Sequence, residues 1–351
     1  MNRRTTYALL LIVLILGSLF RDVQAQSKYD SAYNEIARSY HENLVVFTDR
    51  TLYSVNEPIQ FSALLQSGKQ PFQGLGSKVL YVELLNSSGT AVAKAKFPIK
   101  ENRSRGYLSV PSNSLSGTYY LRSYTRWMRN FSSLDFSYTP IRVVNPYSSD
   151  VLNDSPSPGK NTLLALGGLR RVSLVLSSPV YNAGDRIELE LSLDSGSIKQ
   201  IELGCLSVVP PGSLDTTGVR NRLDSKVEGE ETFHFNFLPE LKGTSITGVV
   251  LGLDDQKPKV DIPIHFSIMG EQPAYIVSRS DQGGAFAINT PLRTGNMEMF
   301  VVPEYGSGNP VEVRIDNDFS SEPLPFQPES FILSQEQQVL ASRIALQMQL
   351  K

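Results

Sequence analysis

The stretch Leu52-Tyr53-Ser54-Val55-Asn56-Glu57-Pro58-Ile59-Gln60-Phe61 has a counterpart 128 residues further on, Val180-Tyr181-Asn182-Ala183-Gly184-Asp185-Arg186-Ile187-Glu188-Leu189. In each copy, an apolar residue and a tyrosine precede a turn in which Asn or Gly is followed by an acidic residue. A strand with alternating apolar and polar residues follows, and such alternation indicates one buried face. Because the offset accommodates one β-sandwich and a linker, the repeat predicts two tandem sandwiches; a chance similarity between two β-hairpins is the alternative.

Alternation of apolar and polar residues dominates the remaining chain as well. It continues through residues 233–237 and, in several segments, through residues 246–288. Clusters of Gly, Pro, Asn, Asp and Ser separate these segments without helical patterns between them, which favours antiparallel sandwiches over a parallel α/β sheet. We therefore predict an all-β fold of tandem immunoglobulin-like or macroglobulin β-sandwiches, preceded by a short N-terminal helix.

These patterns divide the chain into seven segments. They are a signal peptide (1–25), a short amphipathic helix (26–42), an MG2-like sandwich (43–146), a linker (147–168), a second macroglobulin-like sandwich (169–239), a third, smaller sandwich (240–320) and a tail (321–351). Three prolines break regular structure at the start of the tail, and Ser334 with Gln337 forms a helix-capping pattern. The alternation over residues 344–350 predicts a terminal strand, so we expect a chain truncated from a longer protein; a lone edge strand is the alternative.

The N-terminus has the layout of a secretory signal peptide. Arg3 and Arg4 precede an apolar run over residues 8–20, and Val23 and Ala25 predict cleavage before Gln26. The run is shorter than the ~20 residues that a membrane-spanning helix needs, although an uncleaved anchor is the alternative. We expect an exported protein with no membrane span after cleavage, in the periplasm or at the outer-membrane surface.

Composition excludes several classes of function. Lys and Arg number 33 against 35 Asp and Glu, which leaves no broad basic surface for nucleic acid. The single cysteine, Cys205, excludes an intramolecular disulfide, and the three histidines have no metal-ligand spacing. No nucleophile elbow, zinc-protease motif or phosphate-binding loop is present, so we predict no catalytic, metal or cofactor site and a protein that is not an enzyme.

Aromatic and basic residues cluster in one place, between Tyr119 and Phe131. On a strand, Tyr120, Arg122, Tyr124 and Arg126 share one face, and Trp127 follows directly. Exposed rings and guanidinium groups suit a protein surface or a sugar polymer, which makes these five residues the candidate partner-binding site. The alternative is that the rings fill the edge of the core and the Arg stems lie over them.

Three runs of the first sandwich carry a resemblance to a known family. They are Phe47-Thr48-Asp49-Arg50-Thr51-Leu52-Tyr53 leading to Glu57-Pro58-Ile59-Gln60-Phe61, Val79-Leu80-Tyr81-Val82-Glu83-Leu84, and Ser116-Gly117-Thr118-Tyr119-Tyr120-Leu121-Arg122-Ser123-Tyr124-Thr125-Arg126-Trp127-Met128-Arg129-Asn130-Phe131. These runs resemble the macroglobulin (MG2-type) domains of large envelope proteins in Bacteroidota. Residues 241–320 are similar to the carboxypeptidase regulatory-like, transthyretin-type sandwich. Relatives often continue into the plug domain of a TonB-dependent receptor, and the resemblance implies export but no catalytic residues.

Two functions remain open at this stage. The first is a non-enzymatic binding or spacer module of the cell envelope, whose partner is an envelope or outer-membrane protein associated with transport. The second is a proteinase inhibitor like α2-macroglobulin, without a thioester. Gly270-Glu271-Gln272 resembles the thioester motif, but Met269 stands where the motif needs a cysteine, so no thioester forms.

Overall fold

A computed structural model describes residues 40–67, 76–150, 152, 172–193, 206–214, 236–292, 295, 297–304 and 310–349. The predicted signal peptide, nearly all of the predicted N-terminal helix and most of the linker lie outside these residues, as do Cys205 and His234. The helix does not reach residue 42, because Tyr40 and His41 are not helical and Glu42 begins the first strand.

The first sandwich contains eight strands in two sheets. The strands are β1 (Glu42–Thr48), β2 (Leu52–Ser54), β3 (Pro58–Ser67), β4 (Val79–Asn86), β5 (Ala91–Pro98), β6 (Arg103–Ser109), β7 (Gly117–Tyr124) and β8 (Ser137–Val144). One sheet has the order β1-β3-β6 and the other β2-β8-β7-β4-β5, and β2 and β8 are its parallel pair. The largest apolar core of the described residues lies in this sandwich, where the inward-facing residues of both sheets meet.

The predicted third sandwich is smaller and consists of two three-stranded sheets. Its strands are β11 (Thr244–Gly252), β12 (Pro263–Ile268), β13 (Ala274–Arg279), β14 (Ala285–Thr290), β15 (Met299–Pro303) and β16 (Val311–Ile315), in the orders β14-β11-β16 and β13-β12-β15. A core around Val250, Ile264, Phe266, Phe286 and Ile288 fills the space between them. The Gly270-Glu271-Gln272 triplet lies in the connection between β12 and β13.

Between these two sandwiches, the described residues form one antiparallel pair, β9 (Val172–Leu176) with β10 (Leu189–Leu193). The second copy of the repeat lies between these two strands, and its last residue, Leu189, begins β10. The described chain is thus built from β-sheets with one α-helix, which confirms the predicted all-β class.

The two copies of the repeat have the same local geometry. The tyrosine hydroxyl contacts the backbone or side chains three and four residues upstream, Asp49 and Arg50 for Tyr53 and Ser177 and Ser178 for Tyr181. The turn acid accepts a hydrogen bond from the backbone N–H three residues earlier, at 2.7 Å in both copies. The residue before that acid has positive φ in both, 65° at Asn56 and 90° at Gly184, which Asn and Gly tolerate best.

The predicted C-terminal strand is wrong, because residues 335–349 form a helix, α1 (Gln335–Gln349). The capping pattern does start it: the Ser334 N–H donates to Gln337 Oε1 (2.9 Å) and the Gln337 N–H donates to Ser334 Oγ (3.3 Å). Strong helix formers fill the segment, and Leu340, Ala341 and Met348 lie on one helical face that packs inward.

Candidate binding groove

The candidate residues Tyr120, Arg122 and Tyr124 lie on β7, in the middle of the five-stranded sheet. All eight residues of β7 are buried, which alternation alone does not predict, because a sheet with one wet face exposes every second residue. One face completes the core. The other face lies under residues 316–329 of the same chain, which run across it without regular secondary structure. We call this segment the strap and the face beneath it the groove.

Arg122 lies at the centre of the groove, and only 2% of its surface is exposed. On one side its guanidinium binds the Glu83 carboxylate, with Nε–Oε2 at 2.9 Å and Nη2–Oε2 at 2.7 Å. On the other side Nη1 donates to the carbonyl of Glu322 (2.6 Å) and Nη2 to that of Ser320 (2.9 Å). The buried charge is therefore paired within the sandwich, and its remaining donors bind the backbone of the strap.

Two tyrosines of β7 bind backbone N–H groups of the strap. The Tyr124 hydroxyl donates to Glu83 Oε2 (3.0 Å) and accepts from the Ser320 N–H (2.7 Å). The Tyr120 hydroxyl accepts from the Glu329 N–H (2.6 Å). Burial is the main cause that raises the pKa of Tyr124, and the Glu83 charge adds to it, so the phenol stays neutral and keeps both hydrogen-bonding roles.

The strap inserts two phenylalanines among the groove's aromatic rings. Phe326 packs edge-on against Tyr120 and Tyr138, with ring centroids 5.0 and 5.1 Å apart. Phe319 packs edge-on against Tyr81 at 5.4 Å and lies beneath the ammonium group of Lys94, 4.9 Å from the ring centroid. Each ring thus has an aromatic pocket, and a cation closes the pocket of Phe319.

A charged contact fixes the start of the strap. Asp318 pairs with Lys96 on β5, and Arg126 Nη1 lies 3.7 Å from its carboxylate. Arg129 Nη1 donates to the Asp318 carbonyl at 2.7 Å. Basic residues of the first sandwich therefore recognise both the carboxylate and the backbone at this position.

Arg126 and Trp127 lie beyond β7, and of these two only Arg126 reaches the strap, at Asp318. Arg126 donates to the Ser245 carbonyl (3.2 Å) and Thr247 Oγ1 (3.3 Å) of the third sandwich. Trp127 lies in a 3-10 turn, Trp127–Asn130, and its indole N–H donates to the Tyr40 carbonyl at 2.9 Å. Both are buried, and they hold other parts of the chain against the first sandwich.

The prediction of an exposed face at these five residues is therefore corrected. All five are buried by contacts within the chain: the strap covers the three groove residues, the third sandwich covers Arg126, and Tyr40 with Phe131 covers Trp127. Sequence patterning grouped the three groove residues correctly on one face, but the strap that covers it comes from almost 200 residues further along the chain. The pattern Asp318-Phe319 followed by Phe326 was the available signal for that contact.

Glu240 joins the first and third sandwiches. Its backbone carbonyl accepts from the Lys78 N–H (2.7 Å), and its Oε1 accepts from the Tyr81 hydroxyl (3.1 Å) and the Ser245 N–H (2.6 Å). Its Oε2 is buried and has no hydrogen-bond partner among the described residues. Burial raises the pKa of this carboxyl, and the hydrogen bond from Ser245 opposes that shift in part.

Sequence reasoning missed an open apolar face on the sheet β13-β12-β15. Tyr275 is 64% and Phe300 57% exposed on this face, beside Val277 and Val302. His265 lies on β12, between the other two strands. It hydrogen-bonds the Tyr275 hydroxyl, and its Nε2 lies 3.2 Å from Glu304 Oε2. The unbroken apolar run of β15 was its signal, because such a run is typical of a strand with two covered faces.

The described residues contain no group of three or more His, Cys, Asp or Glu side chains arranged to hold a metal ion. Within the same residues, no helix is long and apolar enough to cross a membrane. What the groove provides is recognition: donors and acceptors for an extended backbone, two aromatic pockets and basic residues for one carboxylate.

No protein-family model matches the chain, and no curated protein is significantly similar to it. Among solved structures, Salmonella α2-macroglobulin reacted with methylamine aligns with 78% of this chain and 14% of its own, at 11% identity and a TM-score of 0.24. The native conformation of Escherichia coli α2-macroglobulin aligns with 78% of this chain and 14% of its own, at 12% identity and a TM-score of 0.24.

A tetra-tandem repeat from the extending region of a large adhesion protein aligns with 79% of this chain and 74% of its own, at 10% identity and a TM-score of 0.22. This chain spans about 14% of the α2-macroglobulins that it resembles. Similarities of this size identify no family and carry no activity over to this chain.

Proposed function

We propose that this chain is an exported, non-enzymatic β-sandwich protein of the bacterial cell envelope, and that it serves as a binding and spacer module for an outer-membrane protein. One observation carries the proposal: the first and third sandwiches are joined by buried polar contacts. Arg126, Glu240 and the strap each connect them.

Such a connection makes a stiff arm from two small domains. Free linkers let neighbouring domains reorient, whereas buried and hydrogen-bonded contacts oppose that motion. A stiff arm can hold a binding surface at a fixed distance from its anchor. The predicted signal peptide and the absence of catalytic motifs in the sequence support export and a non-enzymatic role.

The test is a crosslinked pull-down of the tagged chain from Gln26 to Lys351, in the envelope of its own host, read by mass spectrometry. We expect one outer-membrane protein to be enriched with the wild-type chain. Substituting Tyr120, Arg122 and Tyr124 together would unfold the first sandwich, since all three are buried, and would give no usable control.

The matched variants are Lys94→Ala with Lys96→Ala at the groove's rim, and Tyr275→Ala with Phe300→Ala on the open face. Loss of the enriched protein in one pair assigns the contact surface. Enrichment of no outer-membrane protein by the wild-type chain would overturn the binding role. A protease-protection assay checks the inhibitor alternative, because an inhibitor of that kind shields protein substrates and a spacer does not.

A further inference from the structure

The strap and the groove differ sharply in how they are buried. Of the strap's residues, all of which the structure describes, only Ser320 is buried, whereas Tyr120, Arg122 and Tyr124 beneath it have at most 2% of their surface exposed. The strap therefore lies on the surface of the part of the chain that the structure describes. A segment in that position can leave the groove without opening the core of the sandwich.

The groove's polar contacts with the strap are mostly contacts with its backbone. Arg122 binds two carbonyls, Arg129 binds a third, and Tyr120 and Tyr124 each accept from a backbone N–H. Backbone carbonyl and N–H groups of this kind are present in any polypeptide. Recognition of this kind resembles peptide binding, in which backbone hydrogen bonds supply affinity and side-chain pockets supply selectivity.

The groove also keeps its geometry without the strap. Glu83 binds the Arg122 guanidinium at two nitrogens and accepts from the Tyr124 hydroxyl, so these contacts persist when the strap leaves. The buried charge then still has its partner, which removes the largest penalty for an empty groove. A receptor ordered before it binds loses less conformational entropy on binding.

Three side chains of the strap supply the selectivity. Asp318 meets Lys96, Phe319 enters the pocket of Tyr81 and Lys94, and Phe326 enters the pocket of Tyr120 and Tyr138. The occupant is thus an extended segment in which an acidic residue precedes a phenylalanine and a second phenylalanine follows seven positions later.

We propose that the groove is a peptide receptor and that the strap is its displaceable internal ligand. The partner is an extended polypeptide segment with the strap's own chemistry, supplied by another protein. This inference rests on the proposed function as a binding module and names the class of partner that its groove accepts. The strap occupies the groove until such a segment competes with it.

The test uses a fluorescent peptide of residues 315–330 and the full chain. In Phe319→Ala/Phe326→Ala, the chain's own strap binds weakly and leaves the groove accessible. A tethered ligand competes at an effective concentration on the order of mM, so we expect the peptide to bind this variant at least ~10-fold more tightly than the wild-type chain. Leu253→Ala, at an exposed leucine that follows β11 of the third sandwich, is the control and should behave as wild type.

Two controls keep the result interpretable. Circular dichroism and urea unfolding establish that the double variant is folded, and a peptide with both phenylalanines replaced by alanine should fail to bind.

Hydrogen exchange of the wild-type chain gives an independent readout. The amides of Ser320 and Glu329, which donate to the groove tyrosines, should exchange at least ~10-fold faster than those of β7, since opening the strap leaves the sandwich intact.

The inference is overturned if the folded double variant does not bind the peptide, or if strap amides exchange only with global unfolding. Equal binding of the wild-type and alanine-substituted peptides would also overturn it. None of these outcomes touches the proposed function, because the pull-down can still recover a partner through the open face of the third sandwich. Failure of the pull-down, in turn, leaves peptide binding in vitro unaffected.

Discussion

The two copies of the repeat adopt the same turn but differ in burial. In both copies the tyrosine hydroxyl accepts from the backbone N–H three residues upstream, Arg50 for Tyr53 and Ser178 for Tyr181. Glu57 and Asp185 close their turns at the same distance. Yet Ile59 is fully buried, whereas its counterpart Ile187 is 49% exposed. The first copy lies between two sheets of a sandwich, and the second connects the two strands of an isolated pair.

This difference separates local from tertiary effects. A ten-residue segment is enough to set a turn, because its positive-φ residue, its acid and its tyrosine all interact within a few residues of one another. Burial of the following strand requires a second sheet, which comes from distant parts of the chain. The same sequence pattern therefore contributes differently to the free energy of unfolding in the two copies.

The largest contrast should come from the matched isoleucines. We expect Ile59→Ala to lower the free energy of unfolding by about 2–5 kcal/mol, since it leaves a cavity in a packed core. Ile187→Ala should change it by less than about 1 kcal/mol, because the side chain already contacts water. Urea unfolding followed by circular dichroism measures both. A similar loss in the two variants would mean that the second copy is buried to the same degree.

The matched tyrosines should give a smaller contrast. Tyr53→Phe removes a buried hydroxyl that lies 2.6 Å from Asp49 Oδ1 and 2.8 Å from the Arg50 carbonyl, so we expect a loss of about 1–2 kcal/mol. Tyr181→Phe removes exposed hydrogen bonds that water replaces, and its effect should stay within about 0.5 kcal/mol. Thermal unfolding of the two variants beside wild type tests this; an equal effect would contradict it.

The buried junction should also respond to pH. The pKa of Glu240 is higher in the folded protein than its ordinary 4.5, so the folded state binds more protons than the unfolded state above that pH. Stability from this carboxyl is thus fully present below pH 4.5 and is lost as pH rises through the folded pKa. Glu240→Gln should flatten that part of the pH profile of the urea midpoint.

The control for this prediction is Glu188→Gln in the second copy, since that side chain is 65% exposed. Its pH profile should match that of wild type. An unchanged profile in Glu240→Gln would show that the junction carboxyl does not contribute to the pH dependence.

The candidate site shows where sequence reasoning succeeded and where it stopped. Alternation correctly placed Tyr120, Arg122 and Tyr124 on one face of a strand, because side-chain direction in a strand depends only on position along the chain. It gave the wrong expectation for the exposure of that face, since the strap that covers it lies about 200 residues away. The terminal helix was misjudged for a related reason. Ile344 and Met348 share a face in a strand and in a helix, whereas Leu346 joins them only in a strand, and the capping box and helix formers decide for the helix.

The sequence by itself determined the all-β class, the turns of the repeat and the start of the terminal helix, because each depends on residues within a few positions of one another. Only the tertiary structure decided which aromatic face is covered and which stays open. Tyr120 lies under the strap and Tyr275 faces solvent, although both lie on alternating strands. Whether a strand face is buried depends on which distant segments of the chain pack against it, and the sequence of the strand itself does not decide this.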